Sequence, residues 1–131
     1  MTLTREHVRE VLETYVRAWE TQDPDLIVTI FTPAATYHER VLREPIPDRD
    51  AIRAYWQEKV VGAQANIRCR LLTVHVDGET AVAEWEAYFD DLAQGVRKRM
   101  QEIAVIEFDG PLICALREYW ASEPVGDLAA G

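Results

Sequence analysis

From about Gln64 onward, the apolar residues of this chain stop recurring every third or fourth position and begin to alternate. Side chains two apart on a strand share a face, so sustained alternation predicts a sheet with one buried side. Asp77-Gly78 sits between Leu71–Val76 and Thr80–Trp85. An Asp-Gly pair between two such runs is a strong hairpin signal. A second connection spans about Asp90 to Val96, and a third turn, Asp109-Gly110-Pro111, joins Ile103–Phe108 to Leu112–Trp120. The second half is therefore read as four long strands joined by hairpins.

The first half carries helical spacing. Val8, Val11, Leu12, Tyr15 and Trp19 recur at three and four between Arg5 and Glu20, with Thr4 placed to cap the helix. Asp23-Pro24 starts a second, short helix with Leu26, Ile27, Ile30 and Phe31 on its apolar face, and Pro33 ends it. Thr36–Glu39 reads as a short strand, and the prolines at 45 and 47 demand a loop. Asp48 caps a third helix whose inner face is Ile52, Tyr55, Trp56 and Val60, with Gly62 as its stop. Helices followed by a run of strands predict an α+β domain with the helices on one sheet face.

The chain has 131 residues, which suits one domain. The expected bounds are 1–122 for that domain and 123–131 for a flexible C-terminal tail, small and polar in composition. A net charge of −9 repels phosphate backbones and anionic membranes, so neither nucleic acid nor membrane is an expected partner. No apolar run approaches the roughly 20 residues of a membrane span. Cys69 and Cys114 have no metal-ligand spacing and read as free thiols of a reducing compartment, with the cytoplasm as the expected location. The single serine, Ser122, lies in the tail, and the glycines are scattered singly. This argues against a serine triad and against a Gly-rich phosphate loop. No cofactor and no metal are expected.

Several motifs in order resemble the SnoaL-like family of the nuclear transport factor two-like superfamily. They are Tyr15–Trp19 followed by Asp23–Leu26, then Phe31–His38, Arg49–Trp56, and Phe108-Asp109-Gly110 leading into Leu116–Trp120. The resemblance covers nearly the whole chain. It implies a cone-shaped α+β barrel, three N-terminal helices on a curved, mainly antiparallel sheet, enclosing a pocket. It also implies pairing as a homodimer through the outer sheet face, where alternation places Val82, Tyr88 and Val105. Members include cyclases, isomerases, an epoxide hydrolase, dehydratases and many domains with no known activity. The epoxide hydrolase relatives use an inward Arg-x-Asp pair on the third strand, where this chain reads Trp85-Glu86-Ala87.

Strand alternation nominates the pocket. Ala81, Ala83, Trp85, Ala87 and Phe89 are apolar and their alternates Glu84 and Glu86 are charged, so the odd set faces the helices. A two-residue turn at Asp77-Gly78 pairs Arg70 with Trp85 and Arg68 with Ala87, pointing both arginines inward. A three-residue turn at Asp109-Gly110-Pro111 pairs Phe108 with Leu112, Ile106 with Cys114, Ala104 with Leu116 and Glu102 with Glu118. A bulge in either strand would invert part of this set. Walls are expected from Tyr15, Trp19, Tyr37, Tyr55, Trp56, Trp85, Met100 and Trp120.

By resemblance, an acid at the place of Glu118 serves as acid or base in some relatives. A carboxylate among aromatics has a raised pKa, which suits proton transfer near neutrality. The expected catalytic set is Glu118, Glu102, Arg68, Arg70 and His38. It would act without a cofactor on a small, mostly apolar substrate in an isomerase, cyclase or dehydratase type of reaction. Three alternatives stand beside it. The four charges can pair into a structural ion network, the pocket can hold a small hydrophobic ligand without turnover, or the domain can be a dimeric scaffold.

Overall fold

The computed structural model describes residues 2–128. Helices α1 (Arg5–Glu20), α2 (Pro24–Ile27) and α3 (Arg49–Trp56) pack on a sheet of strands β1 (Phe31–His38), β2 (Gln64–Asp77), β3 (Thr80–Asp91), β4 (Val96–Asp109) and β5 (Leu112–Asp127). A 3₁₀ turn, Val28–Ile30, follows α2, and a π turn, Gln57–Val61, follows α3. The sheet is open, in the order β1-β5-β4-β3-β2. Only the β1–β5 pair is parallel. This is the α+β architecture the sequence predicts. Among the described residues no helix is long and apolar enough to cross a membrane.

Local signals explain the helices. The Thr4 hydroxyl accepts the His7 amide at 3.1 Å, and Asp48 accepts the Ala51 amide at 2.8 Å. Each satisfies a donor that the first helical turn leaves orphaned. The apolar stripe of α1 buries Val8, Val11, Leu12, Tyr15, Ala18 and Trp19, and the helix lies along β2. The core is continuous between this stripe and the inner sheet face. Gly62 ends the π turn because a Cβ there would stand 2.6 Å from the Glu58 carbonyl oxygen.

The hairpins differ from expectation in register. At the β2–β3 turn, Asp77 pairs with Thr80 and the loop is Gly78-Glu79. Gly78 has φ +64°, so it takes the first loop position, where a left-handed backbone favours glycine. That slides the pairing by two residues, which leaves the facing of each side chain unchanged. A bulge at Leu72 does change it: Leu71 pairs with Trp85 while Thr73 pairs with Glu84. Below the bulge Ile67, Cys69 and Leu71 take the inward phase. Arg68 and Arg70, expected inside, point to solvent.

At the β4–β5 turn, Asp109 pairs with Leu112 around Gly110-Pro111, and Cys114 is the extra residue of a second bulge. Ile113 therefore fills the core in place of Cys114. Beyond the bulge Ile106 pairs with Leu116, Ala104 with Glu118 and Glu102 with Trp120. The predicted direct pairing of Glu102 with Glu118 becomes a diagonal one, and both still face inward. Strand β1 begins at Phe31, earlier than expected, and tolerates Pro33 because it is an edge strand.

Residues 123–127, expected as part of a flexible tail, continue β5. Arg99 pairs with Glu123, Lys98 with Pro124, Arg97 with Gly126 and Val96 with Asp127. The last residues of that expectation, 129–131, lie outside the described residues. Cross-strand pairs contribute roughly 0.2–1 kcal/mol each. A chain ending at Ser122 is therefore expected to lose about 1–2 kcal/mol in urea unfolding.

Candidate functional site

Glu118 lies on β5 and Glu102 on β4, both on the inner face and 5% and 3% exposed. Tyr15 of α1 donates its hydroxyl to Glu118 Oε1 at 2.7 Å, and Tyr37 of β1 donates to the same oxygen at 2.6 Å. The two hydroxyls are 3.0 Å apart. Each phenol carries one hydrogen, so two hydrogens serve three contacts. The two shortest converge on the carboxylate, in the range of a charge-assisted O–H···O⁻ bond.

The Glu102 and Glu118 carboxyls lie on neighbouring strands, diagonal to each other on the inner face. Two carboxyls buried this close disfavour double ionisation. Burial, with the Glu118 charge beside it, holds the Glu102 carboxyl well above the ordinary range. Burial also pushes Glu118 up, to about 7, against the opposing pull of the two tyrosine hydroxyls. The pair thus keeps one proton through neutrality, with Glu102 as the acid and Glu118 as the group that ionises near pH 7. Burial likewise raises Tyr15, Tyr37 and Tyr55, and these stay protonated donors. Glu102 Oε2 is buried with no donor directed at it.

The pair borders a cavity of about 50 Å³ lined by Tyr15, Trp19, Tyr37, Tyr55, Trp56, Met100 and Trp120, together with Glu39, Lys59, Val60 and Gln64. At roughly 10–15 Å³ per water by the same measure, it holds about four water-sized groups. Several contacts fix its walls. Trp19 donates its indole N–H to Gln64 Oε1 at 2.8 Å. Gln22, at φ +53°, donates to the Val60 and Gln64 carbonyls at 2.8 Å each. The Trp120 indole donates to the Glu39 carbonyl at 2.9 Å, joining the middle of β5 to the residue that follows β1. The Arg40 guanidinium stacks over the Trp120 ring at 5.3 Å.

The rest of the predicted set lies elsewhere. Arg70 is on the outer face, bonded to Glu86 at 2.7 Å. Arg68 is exposed and pairs across the ladder with Tyr88. Neither arginine can neutralise the buried acids. His38 neighbours Tyr37 on a strand and so faces the opposite side, and it is not part of the cavity wall. Trp85 is fully buried behind Tyr15, at 5.1 Å between ring centroids, and supports the wall without lining it.

Sequence reasoning placed Val60 on an inner helix face but missed Lys59, Gln64 and Glu39. Lys59 and Val60 belong to the π turn, which shifts helical phase by one residue. Gln64 and Glu39 sit at element ends, where periodicity carries no signal. The inward third-strand residues are Trp85 and Ala87, and no Arg-x-Asp pair faces the cavity there.

A family model for the SnoaL-like domain matches residues 12–116. The chain belongs to the SnoaL-like domain family. No curated protein matches it in sequence. Among solved structures, it is similar to an LEH-like epoxide hydrolase of M. tuberculosis, with TM-score 0.73, 16% identity, and 89% of this chain and 84% of the other covered. SalBIII, an epoxide hydrolase/cyclase-like enzyme in pyran ring formation in the polyether salinomycin, gives TM-score 0.76 and 21% identity over 88% and 94%. TsrD from Streptomyces laurentii gives 0.75 and 18% over 90% of each chain. At these identities the likeness shows the fold.

The raised acid has a consequence for stability. A carboxyl whose folded pKa lies above its unfolded value near 4.3 contributes stability that is full below the unfolded value. That stability is lost as pH rises through the folded one. For Glu118 the window runs from about pH 4.3 to about 7, worth on the order of 3 kcal/mol. Asp90 and Asp91 are held below the usual range, Asp90 chiefly by its bond from Asn66, and Asp91, against burial, by its bonds from Lys98 and the Gln94 amide together with the Lys98 charge. They contribute the opposite slope, at lower pH. Thermal melts between about pH 5 and 8 are expected to fall with rising pH in the wild type and to be flatter in Glu118→Gln. Parallel slopes in the two proteins would show that Glu118 does not titrate there.

Proposed function

We propose that the Glu102–Glu118 pair is the acid–base centre of a cofactor-independent enzyme acting on a small, mostly apolar substrate. The observation that supports it is two carboxyls buried side by side on the wall of an aromatic cavity, with no cation among the described residues paired to either. An acid and a base with separated pKa values in one site are what proton transfer near neutrality requires. Glu118, as the carboxylate, removes a proton from carbon. Glu102, as the neutral acid, offers a donor to the oxygen on which negative charge develops. Tyr15 and Tyr37 hold Glu118 in place and, by donating to it, keep its pKa from rising further. Arginines have no part in this scheme, since both predicted ones lie outside. An isomerase, cyclase or dehydratase reaction fits these roles. A reducing compartment such as the cytoplasm suits the two free cysteines.

A small β,γ-unsaturated ketone tests the reading. In pent-4-en-2-one, Glu118 would take a proton from the carbon between alkene and carbonyl and return it to the terminal carbon, giving the conjugated isomer that absorbs in the ultraviolet. Wild type is expected to accelerate this conversion, with activity rising as pH passes through about 7. Glu118→Gln should lower kcat by about 10²–10⁴-fold, the usual worth of a positioned acid or base. Equal turnover in the two proteins would sink the assignment.

The outer sheet face favours pairing of two copies. Val82, Ile103 and Tyr119 are 38%, 45% and 48% exposed there. They are linked across β3, β4 and β5 through Val105, since Val82 pairs with Val105 and Ile103 with Tyr119. A homodimer through this face would cover them. Light scattering at micromolar concentration should report a dimer for wild type and a monomer for Ile103→Glu; a monomeric wild type would refute the pairing.

A further inference from the structure

We propose that the cavity takes a small substituted ammonium group, held by the Glu102–Glu118 pair and enclosed by the aromatic walls. This rests on the reading of the pair as a functional site and names the polar end of its substrate.

Charge makes the first argument. Among the described residues, Asp90 is paired with Arg97 at 2.8 Å and Asp91 with Lys98 at 2.9 Å. No lysine or arginine among them forms an ion pair with Glu102 or Glu118. A buried carboxylate without a cation is costly. The residues that could have supplied one, Arg68 and Arg70, are turned away by the Leu72 bulge. Lys59 does not fill the vacancy either: its side chain is 55% exposed and its ammonium lies 3.8 Å from Glu58. Glu102 adds an independent sign. It lines the cavity, it is 3% exposed, and its Oε2 has no partner.

The walls make the second argument. Tyr15, Trp19, Tyr37, Tyr55, Trp56 and Trp120 surround the space. Aromatic faces attract cations, and quaternary ammonium groups are commonly recognised by cages of such rings. Volume makes the third. Room for about four water-sized groups approaches the size of a methylated ammonium and is small for an extended ligand. An anion would meet the pair's negative charge at depth and find a cation only at the mouth.

The titratable groups around the pair come from every neighbouring element. They are Tyr15 on α1, Tyr37 on β1, Glu39 just after it, Tyr55 on α3, Lys59 on the π turn and Cys69 on β2. Burial keeps the three tyrosines and the Cys69 thiol neutral. The charge that changes near pH 7 is that of the pair. A bound cation favours the ionised pair, so binding must release protons below that pH and tighten as pH rises.

Tetramethylammonium chloride is the probe, because its charge does not titrate, with tert-butyl alcohol as a neutral compound of similar shape. Isothermal titration calorimetry in buffers of differing ionisation enthalpy should show proton release near pH 6. Affinity should be at least about tenfold higher at pH 8 than at pH 5, the change expected when an ionisation near 7 is linked to binding. The alcohol should not bind in the same concentration range. Glu118→Gln, with its fold checked by circular dichroism, should bind at least about tenfold more weakly at pH 8. If that variant does not fold, the wild-type pH series alone decides. Affinity independent of pH, equal binding of the alcohol, or no binding of the cation would each overturn the proposal. The two readings separate cleanly. Should ketone isomerisation depend on Glu118 while tetramethylammonium fails to bind, the ammonium assignment falls and the acid–base reading stands. Should the cation bind while the ketone is untouched, the acid–base reading falls instead.

Discussion

Two carboxyl groups buried side by side without a cation impose the condition that the rest of this domain meets. Both cannot ionise in a low-dielectric interior, so the pair must keep a proton and must be given donors. The protein supplies those donors from two different elements. Tyr15 descends from α1 and Tyr37 reaches across from β1, and both meet at one oxygen of Glu118. The helix and the edge strand are thereby tied to the centre of the sheet through a single atom.

That convergence depends on topology. The parallel β1–β5 pairing sets Tyr37 opposite Leu116, two residues from Glu118, and brings its hydroxyl within reach of the carboxylate. The antiparallel β4–β5 pairing sets Glu102 diagonal to Glu118. The helical stripe of α1 places Tyr15 and Trp19 one turn apart, so one side chain meets the acid and the other seals the wall through Gln64. Each contact needs its own element in its own register. The site is therefore a product of the whole fold and could not be assembled from one motif.

How much of this is legible in the sequence follows from the periods involved. Helices declare themselves at three and four residues, and strands at two, so the architecture and most of the aromatic wall can be read directly. The two glutamates survive as inward residues although both hairpin turns were misplaced, because sliding a strand by two preserves the side each residue faces. The arginines do not survive, since one extra residue in β2 reverses the phase beneath it. Lys59 is hidden by the π turn in a comparable way. His38 fails for a simpler reason: beside an inward Tyr37, it has to face outward. The raised pKa of the glutamates has no signature in the sequence, because it depends on the absence of the very cations that alternation places nearby.

The bulge at Leu72 therefore sets more than the local twist of a strand. It decides which sign of charge the interior presents. With the bulge, β2 turns Ile67, Cys69 and Leu71 toward the acids and sends Arg68 and Arg70 into water. Without it, the same segment would offer the acids two guanidinium groups, and the pair would become an ordinary salt-bridged cluster with both carboxyls ionised. The gain or loss of a single residue on β2 is thus enough to reverse the charge that the interior presents, with no substitution at any residue that lines the cavity.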